Sequence, residues 1–166
     1  RKFAVKAGIP VASTLMGIGG FPENHPLSLK WLGMHGSAYA NWAANEADLL
    51  LAFGVRFDDR VTGNVKKFCE HGTIVHIDID ASEINKNKPA NLAIVADIRL
   101  ALQGLNELLG ARGLKKQYAG WRARIDEWKA KAPLRYQVTD EVLRSQHVTE
   151  LMNGDASQVI MPQMVI

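Results

Sequence analysis

The sequence predicts an α/β domain of Rossmann-like, three-layer build, with a mainly parallel sheet and helices on both faces. Three observations carry that expectation. Apolar runs of strand length alternate with helical periods, and the loops between them are short. The run "DLLLAFG" (Asp48 to Gly54) is continuously apolar, as expected of a strand buried on both faces.

Each element has its own local reason. "RKFAVKAG" opens the chain as the end of a helix closed by Gly8. "IPVAST" (Ile9 to Thr14) is a short β-rich run that feeds the glycine-rich "MGIGGFP". Ser37 is placed to cap "AYANWAANEA" as a helix, and the Asp48 to Gly54 strand follows. "GNVKKFCEHG" reads as a short helix before a third strand, "TIVHIDID" (Thr73 to Asp80), and "LAIVAD" (Leu92 to Asp97) is the fourth. Asp97 caps the next helix, where Ile98, Ala101, Leu102, Leu105, Leu108 and Leu109 recur on one face.

After Gly113 the character changes. "YAGWRARIDEWKAKAP" sets Trp121, Ile125 and Trp128 on one helical stripe, with Arg122, Arg124, Lys129 and Lys131 mostly elsewhere. A basic amphipathic helix of this kind touches phosphates or a membrane surface, or it packs its tryptophans on the parent domain, which is the simpler reading. "SQHVTELMNGDAS" reads as a short helix ended by Asn153-Gly154, and the remainder as linker. Residues 1–131 are thus expected to form the domain and 132–166 a linker. The abrupt helical start and the ending "VIMPQMVI", in mid-pattern, lead us to expect a piece of a longer polypeptide.

Composition narrows the function classes. The 166 residues are 47% hydrophobic, enough for one core, and the formal charge of +3 is too small to argue for nucleic acid without clustering. No apolar run reaches the length needed to span a bilayer, so no membrane partner is expected. The single cysteine, Cys69, rules out an internal disulfide framework and fits a reducing compartment, cytoplasmic or, in a eukaryote, organellar. His25, His71, His76 and His147 show no metal-ligand spacing, and no nucleophile elbow is present. No metal site and no catalytic residue are expected in these residues.

Three stretches carry candidate chemistry. The apolar strand at Asp48 ends in "GVRFDDR", where Arg56 and Arg60 offer planar forks of donors suited to phosphate oxygens. Asp78 lies 24 residues after Gly54, a layout in which an acid at the end of the next strand accepts hydrogen bonds from a ribose. The G-x-G-x-x-G fingerprint is missing, however, and "RFDDR" also reads as a surface loop whose arginines pair with its own aspartates. "TLMGIGGFPENHP" permits close backbone approach to a ligand but lacks the Lys-Ser/Thr ending of a P-loop. In "LGMHG", Met34 and His35 between glycines suit a flat aromatic ligand, or the histidine is structural. The residues by themselves lead to a Rossmann-like domain holding a nucleotide-type ligand.

The combination of "LGMHG" with "GVRFDDRVTG", followed by "HIDIDASEINKN", resembles the central domain of the acetolactate synthase family, large catalytic subunit, from about Ile9 to Leu109. The resemblance implies a thiamine-diphosphate-dependent transferase. It joins two pyruvates into acetolactate with loss of CO₂, or pyruvate and 2-oxobutyrate into acetohydroxybutyrate, on the route to valine, leucine and isoleucine. It implies three α/β domains, the outer two holding thiamine diphosphate and Mg²⁺ and the central one FAD. It carries FAD contacts onto Thr14, Leu15, Leu32, Gly33, Met34, His35, Gly54, Arg56, Asp58, Arg60, Val61, Asp78, Ile79 and Asp97. Met34, Asp59 and Arg60 fall at the mouth of the active site, with Arg60 toward the substrate carboxylate. The glutamate that activates thiamine diphosphate and the G-D-G metal motif belong to the outer domains, so the chain alone is expected to be inactive. A homo-oligomer and a small regulatory subunit are implied for the parent. Two alternatives stay open: the middle domain of another thiamine-diphosphate enzyme, a decarboxylase or oxidase, and a non-catalytic nucleotide-binding module. The segment "VLRSQHVTELMNGDAS" departs from the family's pattern.

Overall fold

The computed structural model describes residues 1–112, 118–137 and 144–148. Helix α1 (Lys2–Ala7) leads into strand β1 (Val11–Ser13), and β2 (Ser28–Trp31) follows after a glycine-rich crossover. Helix α2 (Ala38–Glu46) precedes β3 (Leu49–Phe53), the single-turn α3 (Asp59–Thr62) and β4 (Thr73–Asp78). Strand β5 (Leu92–Val95), α4 (Ile98–Arg112) and α5 (Ala119–Lys131) complete the order. All strand pairings are parallel, in two sheets ordered β1-β2 and β3-β4-β5. The α/β architecture of parallel sheets flanked by helices is therefore as expected.

The caps form as their residue types dictate. Gly8 ends α1 at φ 70°, a left-handed conformation that glycine adopts without a Cβ penalty. The Ser37 hydroxyl accepts from Ala40 N–H at 3.2 Å and donates to the Leu29 carbonyl at 2.8 Å, so one side chain starts α2 and ties it to β2. Asp97 accepts from Leu100 N–H at 3.0 Å at the start of α4.

Helix α2 packs against α5 and β2, and α1 packs against α4, which also lies on β4. The main core joins Leu29, Leu32, Tyr39, Ala40, Ala43, Ala52, Phe57, Phe68, Ile74 and Ile125. Three alanines of α2 in that cluster let the helix approach the sheet closely. Ile125 is buried to 3% exposure, with Trp121 and Trp128 packed on the same cluster. The tryptophan stripe is thus a packing face, and Trp42, Trp128 and Trp121 meet edge to face. A smaller cluster joins Ala4, Phe21 and Leu27.

Several expectations need correction. "GNVKKFCEHG" is not a helix but a series of turns, because Asn64 Oδ1 accepts from Lys66 and Lys67 N–H and Cys69 sits at φ 46°. Helix α3 forms just before it instead. Strand β3 is not buried on both faces: of its residues just Ala52 is fully buried and Leu49 is half exposed, and among the described residues β3 is an edge strand beside β4. On α4 the predicted stripe is half-buried except for Leu108, which is exposed. Strand β2 was not foreseen; "SLKW" is short, half polar, and contains Lys30 at φ 63°. The expected helix that starts at Ser145 and ends at Asn153-Gly154 lies outside the described residues beyond a single turn at 145–148, as does the end of the expected 132–166 linker.

Two glycines test this packing with opposite signs. A methyl at Gly72 presses into the Ala47 carbonyl oxygen and the Cys69 sulfur, whereas one at Gly104, within α4, meets nothing. Gly72→Ala should lower stability by about 1–3 kcal/mol through overpacking. Gly104→Ala should raise it by roughly 0.5–1 kcal/mol by relieving backbone entropy. Urea denaturation midpoints of the two variants check both the magnitude and the opposite directions.

Candidate functional site

Parallel strands place their carboxyl ends along one edge, and that edge is where open α/β sheets bind ligands. Every residue in the predicted ligand set falls there. Thr14 follows β1, Leu32 to His35 follow β2, Gly54 to Val61 follow β3, Asp78 and Ile79 close β4, and Asp97 follows β5.

The structure joins two of the motifs directly. Met34 N–H donates to the Arg60 carbonyl at 2.8 Å, and Gly33 stands at φ 116° beside it. A Cβ at Gly33 would press into that same carbonyl oxygen, so the close approach requires glycine. The side chains meet as well, with Arg60 Nη1 3.7 Å from Met34 Sδ. "LGMHG" and "GVRFDDRV" therefore meet through Met34 and Arg60 as the two lips of the candidate site.

The charged turn is ordered by its own acids. Asp58 caps α3, its Oδ1 accepting from Val61 N–H at 3.1 Å. Its Oδ2 lies 3.3 Å from Arg56 Nη2. The alternative of a self-paired loop thus holds for Arg56 but not for Arg60, which forms no ion pair among the described residues. Phe57, at φ 51° and 2% exposed, anchors the turn by packing on Phe68 and His76.

Exposure separates the set into supports and presenting groups. Leu32, Gly33 and Asp78 are buried, Thr14, Asp58 and Val61 half-buried. Leu15, Met34, His35, Gly54, Arg56, Asp59, Arg60, Ile79 and Asp97 are exposed. The exposed members combine two cations with the apolar side chains Leu15, Met34 and Ile79. Thr14 Oγ1 is engaged in capping a short 3-10 turn through Gly17 N–H at 3.2 Å. Asp78 Oδ1 accepts from Asp80 N–H at 3.0 Å, leaving Oδ2 3.7 Å from His76 Nε2. That separation is too long for a hydrogen bond, and both nitrogens of the fully buried His76 lack a partner. Next to it, hydrogen bonds from Ser82 hold the exposed Asp80 carboxyl below the usual carboxylate range. Burial pushes the Cys69 thiol up, which makes it a poor nucleophile. Among the described residues no three His, Cys, Asp or Glu gather into a metal-ligand set, and no helix is long and apolar enough to cross a membrane.

Two supporting residues escaped the sequence reading. Asn41 of α2 bonds both backbone groups of Gly33, accepting from its N–H at 3.0 Å and donating to its carbonyl at 2.9 Å. Asn87 donates to the Arg56 carbonyl at 2.8 Å. Asn41 lies eight residues from Gly33 and Asn87 lies 31 residues from Arg56, within segments that read as an ordinary helix and an ordinary polar loop, so spacing gave no signal.

Comparison with known proteins gives a consistent result. The family model described as "Thiamine pyrophosphate enzyme, central domain" matches residues 1–105. The chain is 51% identical over 162 residues to acetolactate synthase 1, chloroplastic, of Nicotiana tabacum, covering 94% of this chain and 24% of that protein. It is 50% identical over 161 residues to acetolactate synthase 2, chloroplastic, of Zea mays (93% and 25%). Against acetolactate synthase 1, chloroplastic, of Oryza sativa subsp. japonica it is 50% identical over 162 residues (94% and 25%). The chain spans about a quarter of the length of these curated relatives.

The two jobs of Asp58 can be separated by mutation. Asp58→Ala removes both the cap and the Arg56 pair, whereas Asp58→Asn keeps an oxygen for Val61 N–H and loses only the charge. A cap contributes about 1 kcal/mol. An exposed ion pair contributes roughly 0–1 kcal/mol, and here Arg56 is 67% exposed in its side chain. Asp58→Ala should therefore lower stability clearly in a denaturation titration, and Asp58→Asn much less.

Proposed function

The chain belongs to the family of thiamine pyrophosphate enzyme central domains, and from that premise we propose that it is the central domain of an acetolactate synthase. In that reading the whole protein is a thiamine-diphosphate- and Mg²⁺-dependent transferase. It condenses two pyruvates to acetolactate and CO₂, or pyruvate with 2-oxobutyrate, in branched-chain amino acid synthesis. The observation that carries the reading is the meeting of "LGMHG" and "GVRFDDRV" through Met34 and Arg60 at the strand ends. Three relatives at about 50% identity that bear the name acetolactate synthase support it. Their names also place them in chloroplasts, and we assign this protein to an organelle on that ground.

FAD is the ligand that suits the site's chemistry. It pairs an anionic diphosphate with a flat ring of apolar faces and polar edges. Arg56 and Arg60 offer cations, and Met34, Leu15 and Ile79 offer exposed apolar surface. Asp78 and Asp97 offer carboxylates that accept from hydroxyls, and Gly33 and Gly54 allow the backbone to come close. Two pyruvates become acetolactate and CO₂ without net oxidation, so FAD here contributes a shaped surface. Arg60 binds the substrate carboxylate through its guanidinium fork, Met34 packs beside it, and Asp59 borders the entrance. Thiamine diphosphate and Mg²⁺ belong to other domains of the same protein, which assembles as a homo-oligomer with a small regulatory subunit.

Two measurements test this. Residues 1–166 alone, supplied with pyruvate, thiamine diphosphate, Mg²⁺ and FAD, should form no acetolactate, while the full-length protein should. In the full-length protein, Arg56→Ala should weaken FAD binding, and Arg60→Ala should also raise the pyruvate KM. A hydrogen bond to a charged group contributes about 1.5–3 kcal/mol, so each loss should be on the order of tenfold to a hundredfold. Flavin fluorescence titration and pyruvate kinetics read the two effects. Wild-type behaviour in both variants would leave "RFDDR" as a surface loop without a ligand role.

A further inference from the structure

The carboxamide of Asn41 makes the same pair of bonds to Gly33 that a neighbouring peptide would make. Its oxygen takes the Gly33 N–H at 3.0 Å and its nitrogen gives to the Gly33 carbonyl at 2.9 Å. Gly33 is held at φ 116°, a conformation glycine alone tolerates well, and its flat Cα is what admits the Arg60 carbonyl. The next residue, Met34, then donates to that carbonyl and lies along the Arg60 guanidinium. Among the described residues Asn41 forms no hydrogen bond with Met34 or Arg60. It acts through the two peptide groups flanking the Gly33 Cα, from a helix that also packs against β2, α5 and the main core.

We propose that Asn41 is a positioning residue for the site: by clamping both backbone groups of Gly33 it fixes the gap between Met34 and Arg60, and so sets affinity for a carboxylate substrate. This rests on the reading of Arg60 as the group that binds the substrate carboxylate. Gly36 N–H also donates to the Gly33 carbonyl at 2.9 Å, but among the described residues Asn41 is the one group that bonds the backbone on both sides of the Gly33 Cα. Without the clamp the Gly33 backbone, with no Cβ to restrict it, gains conformational freedom, and the Met34–Arg60 spacing loosens.

The same helix supplies a control. Asn45, one turn on, accepts from Cys69 N–H at 3.2 Å and thereby anchors α2 to the turn before β4, away from the site. In the full-length protein, Asn41→Ala should raise the pyruvate KM about tenfold with less than a threefold change in kcat. Asn41→Asp keeps the acceptor for Gly33 N–H but opposes the Gly33 carbonyl, and should fall between Ala and wild type. Asn45→Ala should lower the melting temperature and leave the KM within twofold. A second readout is independent of turnover: with methyl-labelled methionine, the Met34 resonance, assigned through Met34→Leu, should shift or broaden in both Asn41 variants and stay put in Asn45→Ala. An unmoved Met34 resonance in Asn41→Ala or Asn41→Asp overturns the proposal, as does an equal KM rise in Asn45→Ala. A wild-type protein that makes no acetolactate defeats the functional reading instead, and the Met34 resonance then still decides whether Asn41 positions the loop.

Discussion

One backbone hydrogen bond, from Met34 N–H to the Arg60 carbonyl, closes the two loops at the strand ends, and the rest of the site is arranged around it. It joins the strand pair β1-β2 to the three-stranded sheet at the carboxyl ends of the strands. The bond is possible only because Gly33 has no side chain to keep the Arg60 backbone away. Around it, Asn41 holds one lip and the Asp58 cap holds the other. Phe57 pins the intervening turn to the core through Phe68 and His76.

That arrangement separates what is fixed from what is offered. Hydrogen bonds and aromatic packing hold the backbone, while the charged heads stay in solvent. The Arg56–Asp58 pair illustrates the balance. At 3.3 Å and largely exposed it contributes little to stability, whereas the same aspartate's bond to Val61 N–H satisfies a helix terminus. An arginine held by so weak a pair is released at small cost to an anionic ligand. Arg60 is freer still, resting against a thioether rather than a carboxylate.

The core explains why the edge can carry this load. Alanines along α2 bring it close to the sheet, and α5 covers the same cluster with Ile125 and its tryptophans. Asn45 and Gly72 then lock the turn before β4 against the end of α2. The last strand is the contrast: β5 is exposed along its whole length, and Leu92, Ile94 and Val95 face no partner among the described residues that buries them. The firm part of the structure is thus the part that supports the site.

Local chemistry made much of this legible in the amino-acid sequence. The αL glycine at Gly8, the caps at Ser37 and Asp97, the apolar runs of β3 and β4 and the tryptophan stripe of α5 all depend on residues within a few positions of one another. The candidate ligand residues came from the resemblance to the acetolactate synthase family, and their common place at the strand ends follows from apolar runs that stop at glycine or aspartate. Tertiary structure decided the rest, because it depends on groups far apart in the chain. No spacing rule links Asn41 to the conformation of Gly33, or Asn87 to the Arg56 carbonyl. "GNVKKFCEHG" has helical composition, yet Asn64 and the left-handed Cys69 turn it into a loop that must reach β4. Which arginine pairs with an aspartate and which does not was equally undetermined by "RFDDR". Only the approach of Met34 from another loop, 26 residues away, drew Arg60 out of that pairing.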